Sequence, residues 1–385
     1  MESTIRELLS DLVRVETENP PGNEAACSER IVEWFGEREI DAKLVPDPYE
    51  ERPQAVATVG EGEPTLVLNG HVDVVPAGDR SQWSHDPYGA EIDGDRLYGR
   101  GAVDMKAGVA AGMVATARLA EEIRSGALGG SIVFQAAIGE ETAEPGTKRL
   151  LELGYGGEYG VVLEPTGLRT ATSEKGLAWY EITVEGDPSH ASRPDRGSNA
   201  IRNAQPVLDA LDRYDRRVRE REDDLVGRAY ATVTEFDAGT KENVVPERAS
   251  ITLDRRFLPT ESAETVDREI DDLLSGLERA YGIETDWRRT RTYESAEIPV
   301  DSPLAETVRE RSREVAGVDD EPWGIQASTD VRNFVNDAGI EAVTWGPGDI
   351  DEAHTYDESV DLTEVETAVE VLEAVGRDLL GERGE

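Results

Sequence analysis

The chain has 385 residues, of which 38% are hydrophobic, enough for two or three domains with their own cores. Its 82 acidic residues outnumber 40 basic ones, and the formal charge of −42 argues against nucleic acid or an anionic membrane as a partner. No apolar run approaches the ~18 residues of a membrane span, and residues 1–6 lack the basic and apolar parts of a secretory signal, so we expect a cytoplasmic protein.

The acidic residues are spread along the whole chain rather than gathered in a tail. A surface charged in this way repels itself, and salt screens that repulsion. We therefore expect a halophilic protein that requires high salt for stability.

Apolar spacing along the first 175 residues alternates between helical and extended patterns, which predicts an α/β domain. Helices are predicted at residues 1–16, 24–38 and 107–123, and strands at 55–59, 65–68, 131–137 and 159–163. The single cysteine, Cys27, excludes an internal disulfide and falls in the second helix, where we expect it to pack.

After about Lys175 the pattern changes to strand, helix, two strands, helix and strand, the order of a ferredoxin-like unit. The predicted elements are 177–184, 198–218, 229–235, 249–257, 263–281 and 283–289, with a kink expected at Pro206. From residue 299 the first pattern resumes, with a helix at 303–315, a loop at 324–330, a strand at 342–345 and a helix at 363–380. The expected domains are residues 1–175 with 291–385, and an inserted α+β domain at 176–290.

Polar residues follow the predicted strands of the first domain, where α/β sheets bind their ligands. His71 and Asp73 come just after a buried strand and share a face if the chain is still extended there. A carboxylate beside an imidazole can fix its tautomer and leave the other ring nitrogen free for a metal.

Two histidines and several carboxylates form a candidate metal site: His71, Asp104, Glu140, Glu141, Glu164 and His354. This donor set suits zinc or a similar divalent ion, and a carboxylate shared by two ions ~3.5–4 Å apart would make a two-metal hydrolytic site. Adjacent Glu140 and Glu141 point in different directions on an extended chain, so one would bind metal and the other act as a base. Because acidic residues are so common here, solvated surface charge is the competing interpretation for most of them.

Ordered motifs extend over nearly the whole chain: Asn19-Pro20-Pro21-Gly22-Asn23-Glu24, Gly70 to Pro76, Trp83 to Pro87, Gly99 to Lys106, Glu140-Glu141, Glu164-Pro165-Thr166, Ser189 to Ser192 and Ala353-His354. In this order they resemble the acetylornithine deacetylase, succinyl-diaminopimelate desuccinylase and glutamate carboxypeptidase family of di-zinc hydrolases. The resemblance implies a zinc-peptidase-like catalytic domain, with a central mixed sheet flanked by helices, and a ferredoxin-like lid and dimerisation domain.

The resemblance also implies two divalent ions, Zn²⁺ first and Co²⁺ or Mn²⁺ as alternatives. Five residues would be their ligands: His71 and Glu164 on one ion, Glu141 and His354 on the other, and Asp104 as the bridge. Asp73 would orient His71. Glu140 would be the general base, activating the bridging water and later protonating the leaving amine.

Further residues implied by the resemblance belong to substrate binding. His190, from the inserted domain, would stabilise the tetrahedral oxyanion, and in the family it often acts from the partner subunit, so we expect a homodimer. Asn243, Arg256 and Arg332 would hold the carboxylate of the substrate, since the planar fork of arginine matches a carboxylate. Charge balance in an acidic protein is the alternative interpretation for the arginines.

Three positions bear on the subfamily. Ala107 stands where the family usually has glycine, and Gly139 stands where many relatives have aspartate. Neither is a ligand position, so the metal hypothesis is unaffected. Position 164 is glutamate rather than aspartate, and in this respect the chain resembles acylases and carboxypeptidases more than aminopeptidases.

The leading hypothesis is a hydrolase that cleaves the amide bond of an N-acyl amino acid, as deacetylases and desuccinylases of amino-acid biosynthesis do. A dipeptidase or carboxypeptidase with the same chemistry is the alternative. A non-catalytic amino-acid or metal sensor is disfavoured, because Glu140 would have no use without hydrolysis.

Overall fold

The computed structural model describes residues 2–381, with side chains from residue 5 onward. The chain divides into two compact units. Unit 1 contains the described residues up to Thr172, Ile298–Gly324 and those from Thr329 onward. Unit 2 contains Ser173–Glu297 and Ile325–Ser328.

The first part of unit 1 alternates helices and strands as the apolar spacing predicts. Its helices are α1 (Glu2–Arg14), α2 (Ala25–Gly36), α3 (Ala107–Ser125) and α4 (Gly146–Glu152). Its strands are β1 (Asp41–Val45), β2 (Gln54–Gly60), β3 (Thr65–His71), β4 (Glu91–Asp93), β5 (Arg96–Tyr98), β6 (Ser131–Ala137) and β7 (Tyr159–Val162), and β8 (Ala171–Glu174) crosses the boundary of the unit.

Unit 2 follows with seven strands and two helices. These are β9 (Gly176–Glu185), α5 (Ala200–Val218), β10 (Glu222–Asp223), β11 (Gly227–Arg228), β12 (Tyr230–Ala238), β13 (Arg248–Phe257), α6 (Ala263–Tyr281), β14 (Thr285–Tyr293) and β15 (Ala296–Glu297). The remaining elements are α7 (Pro303–Ala316), β16 (Trp323–Ile325), β17 (Glu341–Thr344), β18 (Ser359–Asp361) and α8 (Leu362–Leu380). Strand β16 lies where the sequence predicted the start of a loop.

The sheet of unit 1 is mixed, as expected, and runs in the order β1-β2-β6-β3-β7-β17 before it reaches β8. Its four middle strands, β6, β3, β7 and β17, are parallel, while β1 and β2 are antiparallel to their neighbours. The carboxyl ends of the four parallel strands therefore meet at one edge of the sheet.

Helix α3 is the centre of the unit 1 core. Its Ala- and Met-rich sequence predicts a helix that is apolar on most faces, and the side chains from Ala107 to Thr116 are buried. Helix α2 packs on the same core, with Phe35 against Phe134 at a ring-centroid distance of 5.2 Å. Across the part of the chain that the structure describes, no helix combines the length and the apolarity that a bilayer span needs.

Unit 2 has the ferredoxin-like arrangement that the sequence predicts. Strands β12, β13, β9 and β14 form an antiparallel sheet in that order, and α5 and α6 share its apolar core. Helix α5 continues through Pro206. The expected boundary at residue 290 falls inside β14, because this strand stays paired with β9 as far as Tyr293.

Candidate metal centre

The carboxyl edge of the unit 1 sheet gathers the candidate ligands. His71 is the last residue of β3, Glu140 and Glu141 lie in the turn after β6, and Glu164 follows β7. Two more reach the edge from loops: Asp104 between β5 and α3, and His354 after β17. Parallel pairing of β3 with β6 and β7 is what brings the first four together.

Asp104 lies between the two imidazoles. Its Oδ1 is 3.2 Å from His71 Nε2, and its Oδ2 is 3.1 Å from His354 Nε2. Each imidazole has a second carboxylate beside it, Glu164 at 3.6 Å from His71 and Glu141 at 3.1 Å from His354. The five side chains thus sort into two imidazole–carboxylate pairs that share one central carboxylate.

The chemistry of this donor set fits two divalent ions. Nitrogen from imidazole and oxygen from carboxylate are ligands that zinc and related ions accept. Atoms of His71, Asp104 and Glu141 all lie within 4.8 Å of one another. Oδ1 of Asp104 is buried and accepts no hydrogen bond, so it is available to bind an ion.

Electrostatic coupling between these groups is strong. Burial alone would raise the pKa of Asp104, but the adjacent imidazoles of His354 and His71 lower it well below its usual range. Contacts with Asp104 and Glu141 raise the pKa of His354 to about 10. Burial opposes protonation of His71, yet Asp104, Glu164 and Asp73 outweigh it and raise its pKa. Burial, followed by the charge of Asp104, raises the pKa of Glu164.

Asp73 contacts His71 in a different way from the one the sequence suggests. His71 Nδ1 lies 2.9 Å from the backbone carbonyl oxygen of Asp73 and 3.6 Å from its carboxylate. The carboxylate instead accepts the amide N–H groups of Gly139, Glu140 and Glu141, at 2.8, 3.3 and 3.1 Å. Asp73 therefore orients the imidazole through its main chain and holds the Glu140–Glu141 turn through its side chain.

Glu358 plays the same part for Asp104, and the sequence analysis missed it. Its buried Oε1 accepts the amide N–H groups of Val103 and Asp104 at 3.0 and 3.2 Å. Its Oε2 accepts from Arg100 at 2.5 Å. A carboxylate that acts through main-chain N–H groups, more than 250 residues away in sequence, leaves no spacing signal; only its place four residues after His354 could have drawn attention.

Glu140 lies at the centre but outside the two imidazole–carboxylate pairs. Its carboxylate is 3.8 Å from the guanidinium of Arg332, which also donates to Thr329 O and lies 3.4 Å from Asp330. Burial raises the pKa of Glu140 to about 8; the charges of Asp330 and Glu141 add to this effect, while His71 and Arg332 oppose it. Arg332 is thus next to the candidate base, in unit 1.

Unit 2 holds the other three candidates, and it does not bring them together. His190 and Asn243 are exposed neighbours: His190 pairs with Val244, and the N–H of Ala191 donates to Asn243 O at 3.0 Å. Arg256 lies near the far end of β13, where its guanidinium contacts Asp254 at 2.8 and 3.0 Å. From Arg248, next to the His190 segment, to Arg256 an extended strand rises by about 26 Å.

Comparison with known proteins supports the zinc-peptidase architecture. A model of peptidase family M20/M25/M40 matches residues 67–378, most of the chain. The chain belongs to this family. It is accordingly a metallohydrolase that acts on amide bonds, as the sequence predicts.

Individual relatives of this M20 protein cover nearly its full length. The probable succinyl-diaminopimelate desuccinylase of Staphylococcus epidermidis is 28% identical over 385 residues, with 92% of each chain covered. Among solved structures, an M20 family metallo-carboxypeptidase from Sulfolobus solfataricus has a TM-score of 0.78 at 19% identity and covers 97% of this chain and 98% of its own. A dinuclear metal binding peptidase from Bacillus subtilis has a TM-score of 0.74 at 18% identity, with 99% of each chain covered. At these identities the solved structures confirm the fold.

Proposed function

We propose that this protein is a di-metal hydrolase that cleaves the amide bond of an N-acyl amino acid and releases the free amino acid and a carboxylic acid. The observation that carries the proposal is the position of Asp104, with one oxygen toward His71 and the other toward His354. A shared carboxylate between two imidazole–carboxylate pairs is the arrangement a two-metal hydrolytic site requires.

In this proposal His71 and Glu164 would hold one ion, Glu141 and His354 would hold the other, and both ions would share Asp104. The ions, zinc first and cobalt or manganese as alternatives, supply Lewis acidity that polarises the amide carbonyl and the attacking water. His354 is the ligand most open to solvent, with 52% of its side chain exposed against 2% for His71. Substrate would therefore approach from the side of His354.

Glu140 acts as the general base. Its carboxylate takes the proton of the attacking water and later delivers it to the leaving amine. Arg332, beside Glu140, would anchor the carboxylate of the substrate and so fix the distance from that anchor to the scissile bond.

His190, Asn243 and Arg256 complete the proposed site from unit 2. The His190 segment, with Asn243, lies near the start of β13, whereas Arg256 lies near its end. One copy of unit 2 therefore cannot bring both His190 and Arg256 to the same small substrate. This separation supports a site shared between two subunits. We propose a homodimer in which Arg256 serves its own subunit and His190, with Asn243, serves the partner's active site. The exposed edge of β12, with Val233 and Phe236 at the surface, supports pairing between two copies.

The similarity to a probable desuccinylase supports N-acyl amino acids, and N-succinyl compounds in particular, as substrates. The test is a panel of N-acetyl amino acids, N-succinyl amino acids and dipeptides, assayed in high KCl. The protein is stripped with a chelator and then reloaded with zinc, cobalt or manganese. We expect no turnover after stripping, recovery with metal, and faster cleavage of the N-acyl substrates than of the dipeptides.

A reloaded protein that cleaves only dipeptides would replace the deacylase assignment with a peptidase. Turnover that survives chelation, with metal removal verified by elemental analysis, would contradict the proposal.

A further inference from the structure

The Glu140–Glu141 turn is held by further contacts besides those of Asp73. Residues 139–144 close on themselves, because the N–H of Glu144 donates to the Gly139 carbonyl at 2.8 Å and the N–H of Ala143 donates to Glu140 O at 3.1 Å. Glu144 is thus the closing residue of the turn that carries the proposed base and a proposed ligand. Whatever fixes Glu144 fixes where Glu140 and Glu141 stand.

Arg52 fixes Glu144. Its guanidinium lies 3.1 Å from Oε1 and 2.7 Å from Oε2 of Glu144. On its other side it makes a bidentate pair with Glu24, at 2.8 and 2.5 Å. The Glu24 side chain is fully buried, while 16% of Arg52 and 23% of Glu144 is exposed. Bidentate arginine–carboxylate pairs have a defined direction, so Arg52 cannot swing away without leaving a buried charge alone.

Two glycines make room for this contact. A Cβ at Gly22 would lie 2.5 Å from the guanidinium carbon of Arg52, and a Cβ at Gly139 would lie 2.4 Å from Cβ of Glu144. Gly139 also has φ near +78°, a left-handed conformation that side chains disfavour. The glycine at position 139 therefore lets Glu144 fold back toward Arg52.

The 19–24 segment reaches the same turn by a second route. Asn19 donates from its side chain to Thr142 Oγ1 at 2.7 Å and to the Asp73 carboxylate at 3.3 Å. This segment belongs to the ordered motifs but contains no candidate ligand, base or substrate-binding residue. Asn19, at one end of the segment, contacts the turn at 139–144 directly, and Glu24, at the other end, contacts it through Arg52.

We propose that Arg52, clamped between Glu24 and Glu144, is a positioning residue that holds the turn carrying Glu140 and Glu141 in register with the metal centre. The proposal deepens the proposed function and rests on it for the roles of those two glutamates. A loosened turn would displace Glu141 from His354 while leaving the pair of His71 and Glu164 in place. The clamp therefore acts on one of the two proposed ion sites.

The test uses Glu144→Gln in the full chain, because this change releases the turn yet keeps the buried pair of Glu24 and Arg52. Arg52→Lys is the second variant, since it keeps the positive charge and loses the fork. Glu314→Gln is the matched control, because Glu314 pairs with Arg311 on α7 and makes no contact with the turn. All are compared with the wild type in high KCl.

Two measurements are made on each variant. Hydrogen–deuterium exchange of peptides covering residues 139–144, in chelator-treated protein, reports the turn itself. Titration with zinc alone reports each ion site. We expect Glu144→Gln to raise exchange in this turn and to weaken one of the two zinc sites by about 10-fold, with the other site unchanged. Arg52→Lys should fall between this variant and the wild type.

Unchanged exchange and unchanged zinc affinity in Glu144→Gln would overturn the proposal. So would faster exchange spread evenly over unit 1, because that is loss of stability rather than of position. A wild type that binds two zinc ions but hydrolyses no amide would overturn the proposed function and leave the clamp to be judged by exchange and titration.

Discussion

The metal centre of unit 1 and the substrate-binding candidates of unit 2 are built in different ways. In unit 1, His71, Asp104 and Glu164 are buried. The carboxylates of Asp73 and Glu358 accept hydrogen bonds from main-chain N–H groups beside the centre. In unit 2, His190 and Asn243 are exposed, and Arg256 lies about 26 Å along the same sheet. The first arrangement is complete within one unit, whereas the second needs something further to become a site.

The contrast suggests a division of labour. A centre that holds charged ions must be rigid, since small displacements of ligands cost affinity. Residues that close on a substrate must be able to leave it again, so exposed positions suit them. Substitutions of the proposed ligands in unit 1 should therefore lose metal, whereas substitutions in unit 2 should lose turnover alone.

The largest effect should come from Asp104→Asn. This change removes the charge that both imidazoles share, so we expect both ions to be lost and turnover to disappear. Metal content by elemental analysis and hydrolysis of the best N-acyl substrate are the measurements. Asp93→Asn, on the exposed strand β4, is the control. Two tightly bound ions in Asp104→Asn would break the contrast at its strongest point.

Glu140→Ala comes next. We expect kcat to fall by about 10²–10⁴-fold, because the water loses its base, while both ions are retained. Parallel measurement of kcat and metal content separates this variant from Asp104→Asn. Glu121→Ala, on an exposed face of α3, controls for the loss of a carboxylate. Normal turnover in Glu140→Ala would remove Glu140 from the mechanism.

These two predictions depend on residues that the sequence could place. Parallel strands bring the residues that follow them to one edge, so a histidine or glutamate directly after an apolar strand identifies the centre. Asp104 and His354 arrive from loops; their polar stretches among the predicted strands made them candidates, and the motif order then supported them. Glu358 and Arg52 were not predicted, because they act through main-chain groups or through other side chains.

Short elements and register were also beyond the sequence. Helix α4 has seven residues, and β4, β5 and β18 have three each, too few for a hydrophobic period to appear. The distance between His190 and Arg256 follows from the pairing of β9 with β13, which apolar spacing does not determine. The separation of His190 and Asn243 from Arg256 in unit 2 could therefore be seen only in the structure.

His190→Ala tests unit 2. We expect kcat to fall by about 10²–10³-fold, through loss of oxyanion stabilisation, with metal content unchanged. His85→Ala is a matched control, since the side chain of His85 contacts Glu91 and Tyr98, neither of which is a candidate ligand. Loss of metal in His190→Ala would place this residue among the ligands and contradict the contrast.

Dimers of two variant chains test whether His190 serves its own subunit or the partner's. Glu140→Ala and His190→Ala chains, each nearly inactive, are unfolded and refolded together in high salt. If His190 serves the partner subunit, about a quarter of wild-type activity should return, since half of the dimers are mixed and each has one complete site. No recovery in verified mixed dimers would show that His190 acts within its own chain.

The pH dependence of zinc binding should report the protonation of the two imidazoles in unit 1. The pKa of His354 is raised to about 10, so without metal its proton stabilises the fold fully below about pH 6.5, and this contribution is lost as the pH rises through 10. Zinc must displace that proton and the one on His71. Affinity should therefore rise with pH, by about tenfold per unit between pH 6.5 and 9 for the proton on His354, and the proton on His71 should steepen this rise. Competition titrations with a chelator measure it, and a flat profile would contradict the raised values.

Salt should stabilise both units, whereas metal should stabilise only unit 1. This is the smallest of the expected effects, and it extends over the whole chain. The charge of −42 is spread over the whole chain, so KCl should screen repulsion and slow hydrogen exchange in both units. Each zinc ion, at a hundredfold excess over its Kd, should add about 3 kcal/mol of stability, and only to unit 1, because every proposed ligand lies there. Peptide-resolved exchange across a KCl series, with and without zinc, separates the two effects. Full protection of unit 2 in dilute buffer would show that the acidic surface needs no salt, and protection of unit 2 by zinc would show that the centre is not confined to unit 1.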